Sequence, residues 1–294
     1  MKLELKDLNT PATNTWCPGC GNFGILAAVK QAIVELVNEG FAEKRQFTLV
    51  SGIGCHAKIY DYININGFYS IHGRVLATAL GIKVSNPELI VLGFGGDGDT
   101  YAEGIEHFVH ACRYNVDVTM IVHNNQEFAL TTGQATPTTE RGFRGKSTPL
   151  GTFEQPLNPI ALAIVSGATF VAREFALDVQ HLKETVKKAV RHRGFAFIDV
   201  IQPCVSYHNV TGFVREHAYR LEDAGHDPEN YDEALRRALE WDYEYREDAK
   251  IPLGIFYIGE RETYESMWPA TRPFYRVKRA ADMEEILKKH HVSP

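Results

Sequence analysis

The sequence predicts an α/β protein with a mostly parallel sheet, helices on both faces, and a C-terminal extension. Three observations carry this. Strand-like and helix-like segments alternate between residues 47 and 201, the pattern of crossover-connected parallel strands. The strand-like segments include continuous apolar runs such as Leu89-Ile90-Val91-Leu92, as expected where both faces are covered. Gly-rich loops follow two of them, at the strand ends where open α/β sheets bind ligands.

The first element is a helix in which Ile25, Leu26, Val29, Ile33, Leu36 and Val37 recur at helical spacing, ended by Gly40. Residues 47–50 read as a strand running into Gly52-Ile53-Gly54-Cys55. Residues 72–83 read as a helix stopped near Pro87. The strand at 89–92 leads to Gly95-Gly96-Asp97-Gly98-Asp99, then a helix over 103–115 and a strand over 116–122 that ends at Asn124-Asn125. Residues 126–156 are rich in Thr, Gly and Pro and too long for a plain connection, so they read as a functional loop over a site. Residues 159–166, 169–172, 179–192 and 195–201 continue as helix, strand, helix and strand. The core domain is therefore assigned to residues 1–204. Beyond it, 231–248 read as a charged helix, 253–258 as a candidate edge strand and 282–290 as a final helix; 262–276 are rich in aromatics and Arg without periodicity. Residues 205–294 read as an extension packed on the core or on a partner.

With 294 residues, 44% apolar and 23% charged, the chain suits one large domain with an appendage, or two domains. Net charge is −6 with no basic block, which argues against a nucleic-acid partner. Residues 1–10 are charged and lack the apolar core of a signal peptide. No apolar run approaches the roughly eighteen residues of a membrane span. A soluble, cytoplasmic protein without a membrane partner is expected.

Gly96-Asp97-Gly98-Asp99 and Asn124-Asn125, a little under thirty residues apart, carry specific chemistry. Mg²⁺ is a hard ion that takes near-octahedral oxygen ligands at about 2.0–2.1 Å. A carboxylate, an amide oxygen and a main-chain carbonyl supply three, and phosphate oxygens and water complete the shell. The glycines admit backbone N–H groups close to a diphosphate, aided by the following helix terminus. This GDG…NN stretch resembles the thiamine diphosphate (ThDP) fingerprint. A GGDGD run alone is also an ordinary turn sequence; the strand before it and the helix and strand after it favour the cofactor reading.

The five cysteines, an odd count in a chain read as cytoplasmic, argue against a disulfide framework. Cys17-Pro18-Gly19-Cys20 is a C-x2-C knuckle, while Cys55 and Cys204 each follow a strand. Strand ends on one side of a parallel sheet converge, so these four can meet. Four thiolates suit either a [4Fe–4S] cluster or zinc, and one knuckle with two distant singletons leans toward the cluster. Cys112, within a helix, reads as a buried free thiol.

Cys17-Pro18-Gly19-Cys20-Gly21, Gly52-Ile53-Gly54-Cys55, His72-Gly73-Arg74, Gly95-Gly96-Asp97-Gly98-Asp99 and Gln202-Pro203-Cys204 occur in that order. Together they resemble the beta subunit of 2-oxoacid:ferredoxin oxidoreductases, over about residues 10–210. The resemblance implies a ThDP-binding (pyrophosphate-type) fold. It implies that Cys17, Cys20, Cys55 and Cys204 hold one [4Fe–4S] cluster. Asp97 and Asn125 would bind Mg²⁺ by side chain and Glu127 by its main-chain carbonyl. Ile53, Gly54, Cys55, His56, His72, Gly98, Asp99, Ala129 and Leu130 would line ThDP, with His72 and Lys58 as candidate catalytic groups. Each of the last two has a plainer reading: a backbone-satisfied histidine and a surface lysine. Phe128-Ala129 and Thr132 depart from common family residues beside the reacting carbon. Arg141, Arg144 and Lys146 could attract a second substrate carboxylate or simply be solvated.

The implied reaction is coenzyme A-dependent oxidative decarboxylation of 2-oxoglutarate to succinyl-CoA and CO₂, reversible, with electrons passing through the cluster to ferredoxin. Pyruvate or broad 2-oxoacid specificity is the nearest alternative. A ThDP enzyme also needs a glutamate from a second, similar-sized domain, which this chain has no room for. An alpha subunit that brings it is implied, as an (αβ)₂ assembly. Two rivals stand beside this reading: a non-redox ThDP lyase or carboligase subunit, which leaves the cysteines idle, and a zinc-binding scaffold protein, which leaves Asp97 and Asn125 unexplained.

Overall fold

A computed structural model describes residues 2–267, 273–276 and 283–290. The strands are β1 (Phe47–Ser51), β2 (Asn66–Tyr69), β3 (Ile90–Gly96), β4 (Val118–Asn124), β5 (Glu127–Phe128), β6 (Gln134–Ala135), β7 (Phe170–Phe175), β8 (Ala196–Ile201), β9 (Ala218–Arg220) and β10 (Ile251–Ile258). Eight of them form one sheet in the order β2-β1-β3-β4-β8-β7-β10-β9. The six strands from β2 to β7 in that order run parallel. β10 joins β7 antiparallel and carries β9 on its other side. β5 and β6 make a small hairpin inside the long loop.

The helices are α1 (Asn22–Asn38), α2 (Ile59–Tyr62), α3 (Val75–Ser85), α4 (Asp97–Tyr101), α5 (Ile105–Tyr114), α6 (Pro159–Val165), α7 (Val179–Arg191), α8 (Thr211–His217), α9 (Tyr231–Ala238) and α10 (Met283–His290). Successive strand residues point to opposite faces, so each face acquires its own core. Leu92, Phe94, Ile121 and Ile198 pack with α1 and α7. Val91, Met120, Val122 and Phe197 pack with α3, α5, α6 and α9. Each such side chain contributes about 1.5–3 kcal/mol on full burial. Gly40 closes α1 at φ 77°, letting the Gly40 and Phe41 amides return to the Val37 and Leu36 carbonyls.

Several elements differ from expectation, each for a local reason. The helix expected from residue 72 begins at Val75, because Gly73 takes φ 73° and His72-Gly73-Arg74 is a turn. β3 runs on to Gly96, since Gly93, Gly95 and Gly96 pair with β4 despite their weak strand preference. Asp97 then opens α4 instead of lying in a loop. The helix expected to reach residue 248 stops at Ala238, after which Trp241 and Tyr243, the latter at φ 65°, bury themselves in a third core with Phe175, Ile201 and Ile251. The strand expected at 253–258 is β10; β9 covers it, so it is no edge. The edges are instead β9 and β2, the latter an exposed Asn-Gly-Phe-Tyr run that gave no apolar signal. The final helix is α10, with Asp282 outside the described residues; the described parts of 262–276 include short 3-10 turns at Tyr264–Met267 and Phe274–Arg276.

The chain leaves β1 toward β2 on one side and returns to β3 on the other, so β1 and β3 bracket a topological switch point. Beside it, Asp199 on β8 is fully buried. Its Oδ1 accepts from Tyr101 Oη (2.8 Å) and Asn124 Nδ2 (3.1 Å), and its Oδ2 from Tyr243 Oη (2.7 Å). Arg173 Nη2 donates to the same Tyr243 hydroxyl at 3.2 Å and lies over the Trp241, Tyr243 and Phe256 rings. Burial pushes the Asp199 carboxyl above its ordinary range, while Arg173 and the three donors pull it down. One carboxylate thus ties together α4, the end of β4 and the C-terminal segment.

Equilibrium urea denaturation tests that joint with two variants. Asp199→Ala strands three buried donors and is expected to cost about 3 kcal/mol or more. Tyr243→Phe, which removes one donor and leaves the packing, is expected to cost about 1–3 kcal/mol. An Asp199→Ala protein as stable as the parent would sink the idea that this carboxylate holds the joint.

Candidate active site

At the switch point, the loops after β1 and β3 wall a cleft of about 490 Å³. Into it the fold brings Ile53, Gly54, Cys55 and His56 after β1, His72 from the turn before α3, Gly98 and Asp99 in α4, and Ala129 and Leu130 after β5. Asp97, Asn125 and Glu127 line the same cleft. So do Gly96 of the GDG motif and His123, Thr131 and Gln202, whose place there the sequence reading does not give. His123 had a usable signal: it immediately precedes Asn124-Asn125 at the end of a mostly apolar strand.

Asp99 holds the cleft's loops together. Its Oδ1 accepts from Gly73 N at 2.7 Å and Ile53 N at 3.4 Å. His72 Nδ1 lies 3.3 Å from Oδ1 and His56 Nε2 lies 3.5 Å from Oδ2. His72 Nδ1 also lies 3.2 Å from Glu103. Gly98 is required by close approach, because a Cβ there would run into the Phe128 ring.

Asp97 is buried, and its Oδ2 accepts from the Thr136 and Thr138 hydroxyls at 2.5 and 3.0 Å. The two adjacent asparagines divide their work. Asn124 turns inward, with Nδ2 on Asp199 and Oδ1 3.0 Å from Thr138 Oγ1. Asn125 faces the cleft, and its Oδ1 accepts from Glu127 N at 3.2 Å. Burial pushes the Asp97 carboxyl up to about 7. Burial also pushes Glu127 to about 7, with His208 opposing and Asp97 and Glu140 adding to the rise. Both Glu127 carboxyl oxygens are buried without a hydrogen-bond partner.

Among the described residues, no Lys or Arg lines this cleft. An oxygen-rich, acidic lining with the buried Asp97 carboxyl and the Asn125 amide oxygen fits a hard divalent cation that also carries phosphate oxygens. Among the described residues no three His, Cys, Asp or Glu side chains converge on one ion. A cation held by one carboxylate, one amide and one main-chain carbonyl does not require such a trio.

A second cavity of about 650 Å³ adjoins the first. Cys17, Cys20, Cys55 and Cys204 all line it, and Cys55, Asn125, Ala129, Leu130 and Gln202 line both cavities. Burial pushes the Cys20 thiol up to about 11 and raises Cys55 and Cys204 as well. The four cysteines line one cavity, the arrangement that four thiolate ligands to a single cluster require. Lys58 lines this cavity and not the cofactor cleft; its Nζ lies 3.5 Å from the Thr15 carbonyl. Cys112 is buried in α5, away from both cavities. Arg141, Arg144 and Lys146 line neither. No helix among the described residues is long and apolar enough to cross a membrane.

Residues 52–200 match the thiamine pyrophosphate enzyme C-terminal TPP-binding domain, and residues 204–272 match the C-terminal family of the pyruvate ferredoxin oxidoreductase beta subunit. The chain is 43% identical to subunit beta of 2-oxoacid:ferredoxin oxidoreductase 1 from Aeropyrum pernix, covering 94% of this chain and 88% of that one. It is 44% identical to the 2-oxoacid:ferredoxin oxidoreductase subunit beta of Saccharolobus solfataricus, covering 95% and 97%. The 2-oxoglutarate synthase subunit KorB of Archaeoglobus fulgidus is 40% identical over 71% of this chain and 78% of its own. A solved 2-oxoglutarate:ferredoxin oxidoreductase from Magnetococcus marinus, with 2-oxoglutarate, coenzyme A and succinyl-CoA bound, superposes with a TM-score of 0.88 at 31% identity, covering 99% of this chain and 97% of that one. A thiamine-type cleft beside a four-cysteine cavity and relatedness along nearly the whole chain lead to one assignment: the protein belongs to the 2-oxoacid:ferredoxin oxidoreductase family, as a beta subunit.

Proposed function

We propose that this beta subunit supplies the ThDP–Mg²⁺ site and one [4Fe–4S] cluster of an enzyme converting 2-oxoglutarate and coenzyme A to succinyl-CoA and CO₂, with ferredoxin as electron acceptor. The observation that carries the proposal is the shared wall: Cys55, Asn125, Ala129, Leu130 and Gln202 face both cavities. When bound, ThDP serves as the electron sink for decarboxylation and the cluster as a one-electron acceptor.

The chain's own residues have defined parts in this reading. Asp97, Asn125 and the Glu127 carbonyl hold the cation, and through it the diphosphate. Gly98 lets backbone approach that group. Asp99 fixes the His56 and His72 rings at the cleft. Leu130 and Phe128 give it apolar lining. Cys17, Cys20, Cys55 and Cys204 hold the cluster. Lys58, beside Cys55, acts on the cluster side of the wall, where its charge favours the Cys55 thiolate. The alpha subunit supplies the missing half of the active site in an (αβ)₂ assembly, and the reaction runs in either direction according to the carrier. Residues 205–294 act as an extension of the 1–204 core, continuing its sheet through β10 and β9.

The preference for 2-oxoglutarate rests on the KorB relatives, on the substrate in the Magnetococcus structure and on the Ala-Leu-Thr-Thr-Gly-Gln-Ala-Thr-Pro run at 129–137, which resembles 2-oxoglutarate-type and broad-specificity members more than pyruvate-specific ones. The relatives of 43–46% identity are named for 2-oxoacids in general, which favours broad specificity as the second reading. Membership in an oxidoreductase family displaces the lyase and zinc-scaffold rivals.

Two measurements on the anaerobically reconstituted alpha–beta complex test the proposal. Asp97→Asn should weaken Mg²⁺-dependent ThDP binding, followed by calorimetry, by at least about tenfold while the cluster stays intact. Binding equal to the parent would remove Asp97 from the cation site. Steady-state kinetics should give a higher kcat/KM for 2-oxoglutarate than for pyruvate; a pyruvate value equal or greater overturns the substrate assignment in favour of the broad-specificity reading.

A further inference from the structure

Gln202 belongs to the Gln-Pro-Cys motif that carries the family resemblance, and its side chain binds neither cofactor in the proposed function. It is 2% exposed and stands in the wall between the cofactor cleft and the cysteine cavity. Its Nε2 donates to the Pro203 carbonyl at 2.8 Å and to Cys20 Sγ at 3.6 Å. The Pro203 contact fixes the orientation of the amide: a carbonyl oxygen only accepts, so the end facing it and Cys20 is the NH₂ group. Gly21 leaves the space, since a Cβ there would lie 3.0 Å from Gln202 Cγ and 3.2 Å from Nε2. Other donors also point at sulfur: Ser206 Oγ lies 3.5 Å from Cys17 Sγ, and the Asn22 main chain donates to Cys20. A neutral thiol accepts hydrogen bonds weakly, whereas a metal-bound thiolate accepts them well. A buried amide aimed at Cys20 is therefore placed for a sulfur that carries negative charge.

We propose that Gln202 is a positioning residue that raises the reduction potential of the cluster by donating its side-chain N–H to Cys20 Sγ. The proposal rests on the cluster reading above. An electron added to the cluster increases the negative charge on its sulfurs. A donor at one of them then stabilises the reduced form more than the oxidised form, and the potential rises. Burial makes the Gln202 contact the stronger lever, because water competes at the exposed Ser206. Lying in the shared wall, Gln202 acts where electrons leave the cofactor side for the cluster side.

The test uses the whole alpha–beta complex, purified anaerobically, with iron, sulfide and ThDP assayed before each EPR-monitored redox titration. Gln202→Met keeps the length and loses the donor, so its midpoint is expected to be more negative at parental iron, sulfide and ThDP content. Gln202→Asn keeps an amide that is one methylene too short to reach Cys20. It is expected to shift the same way and decides the matter if the Met variant does not hold its iron. An iron-loaded variant with an unchanged midpoint overturns the proposal. A parental complex without iron overturns the cluster reading itself, and the two failures are told apart by the metal assay.

Discussion

The arrangement depends first on a charge placed where water cannot reach it. A carboxylate in a dry interior is expensive unless every lone pair finds a donor. Asp199 meets that demand with two tyrosines and an asparagine. Each donor comes from a different element, so satisfying one carboxylate fixes three backbone segments at once. Tyr101 ends the helix that begins at Asp97, and Asn124 precedes the asparagine that faces the cleft. Tyr243 arrives from far along the chain. The segments that carry Asp97 and Asn125 are therefore braced from beneath, by a group that does not line the cleft.

The second constraint is topological. Six parallel strands have all their C-terminal ends on one side of the sheet, and the chain's reversal between β1 and β3 opens a crevice there. The loops after β1, β3 and β4 must meet at that edge, and the loop after β8 lies close by. Cys55 after β1 and Cys204 after β8 come together with the knuckle before α1 by the same rule. Two cavities with a common wall are thus a consequence of strand direction.

The fold class and most of the cleft were legible because their signals are local. Gly and Asp in a short loop, a paired asparagine and a C-x2-C knuckle declare their chemistry over a few residues, and the chain order of the motifs placed them on one sheet edge. What stayed hidden depends on contacts between distant segments. β2 carries no apolar stripe, so only its pairing with β1 makes it a strand. The 231–248 segment has helical composition, but burying Trp241 and Tyr243 outweighs continuing the helix. Lys58 sits three residues after Cys55, and nothing in that spacing tells which of two adjoining cavities its side chain enters. The partnership of Asp199 with Tyr243 spans 44 residues and has no periodicity to betray it.

The unsatisfied electrostatics of the site set the order in which its parts depend on one another. Asp97 and Glu127 both sit near 7 because burial denies them water and the cleft lining offers no Lys or Arg among the described residues. Three of the four cavity thiols are likewise raised by burial. Burial thus makes the charged form of each of these groups costly in the absence of a cation. Under the proposed function a divalent cation would displace the proton from Asp97 and iron those on the cysteine sulfurs, so binding each occupant would also stabilise the surrounding chain. Under the proposed function the shared wall then links the two events. Leu130 and Ala129 line both cavities, so ordering either occupant would restrict side chains that also face the other. On that reading the buried, unsatisfied groups of both cavities favour the doubly loaded subunit, the form that would pass electrons from one cavity to the other.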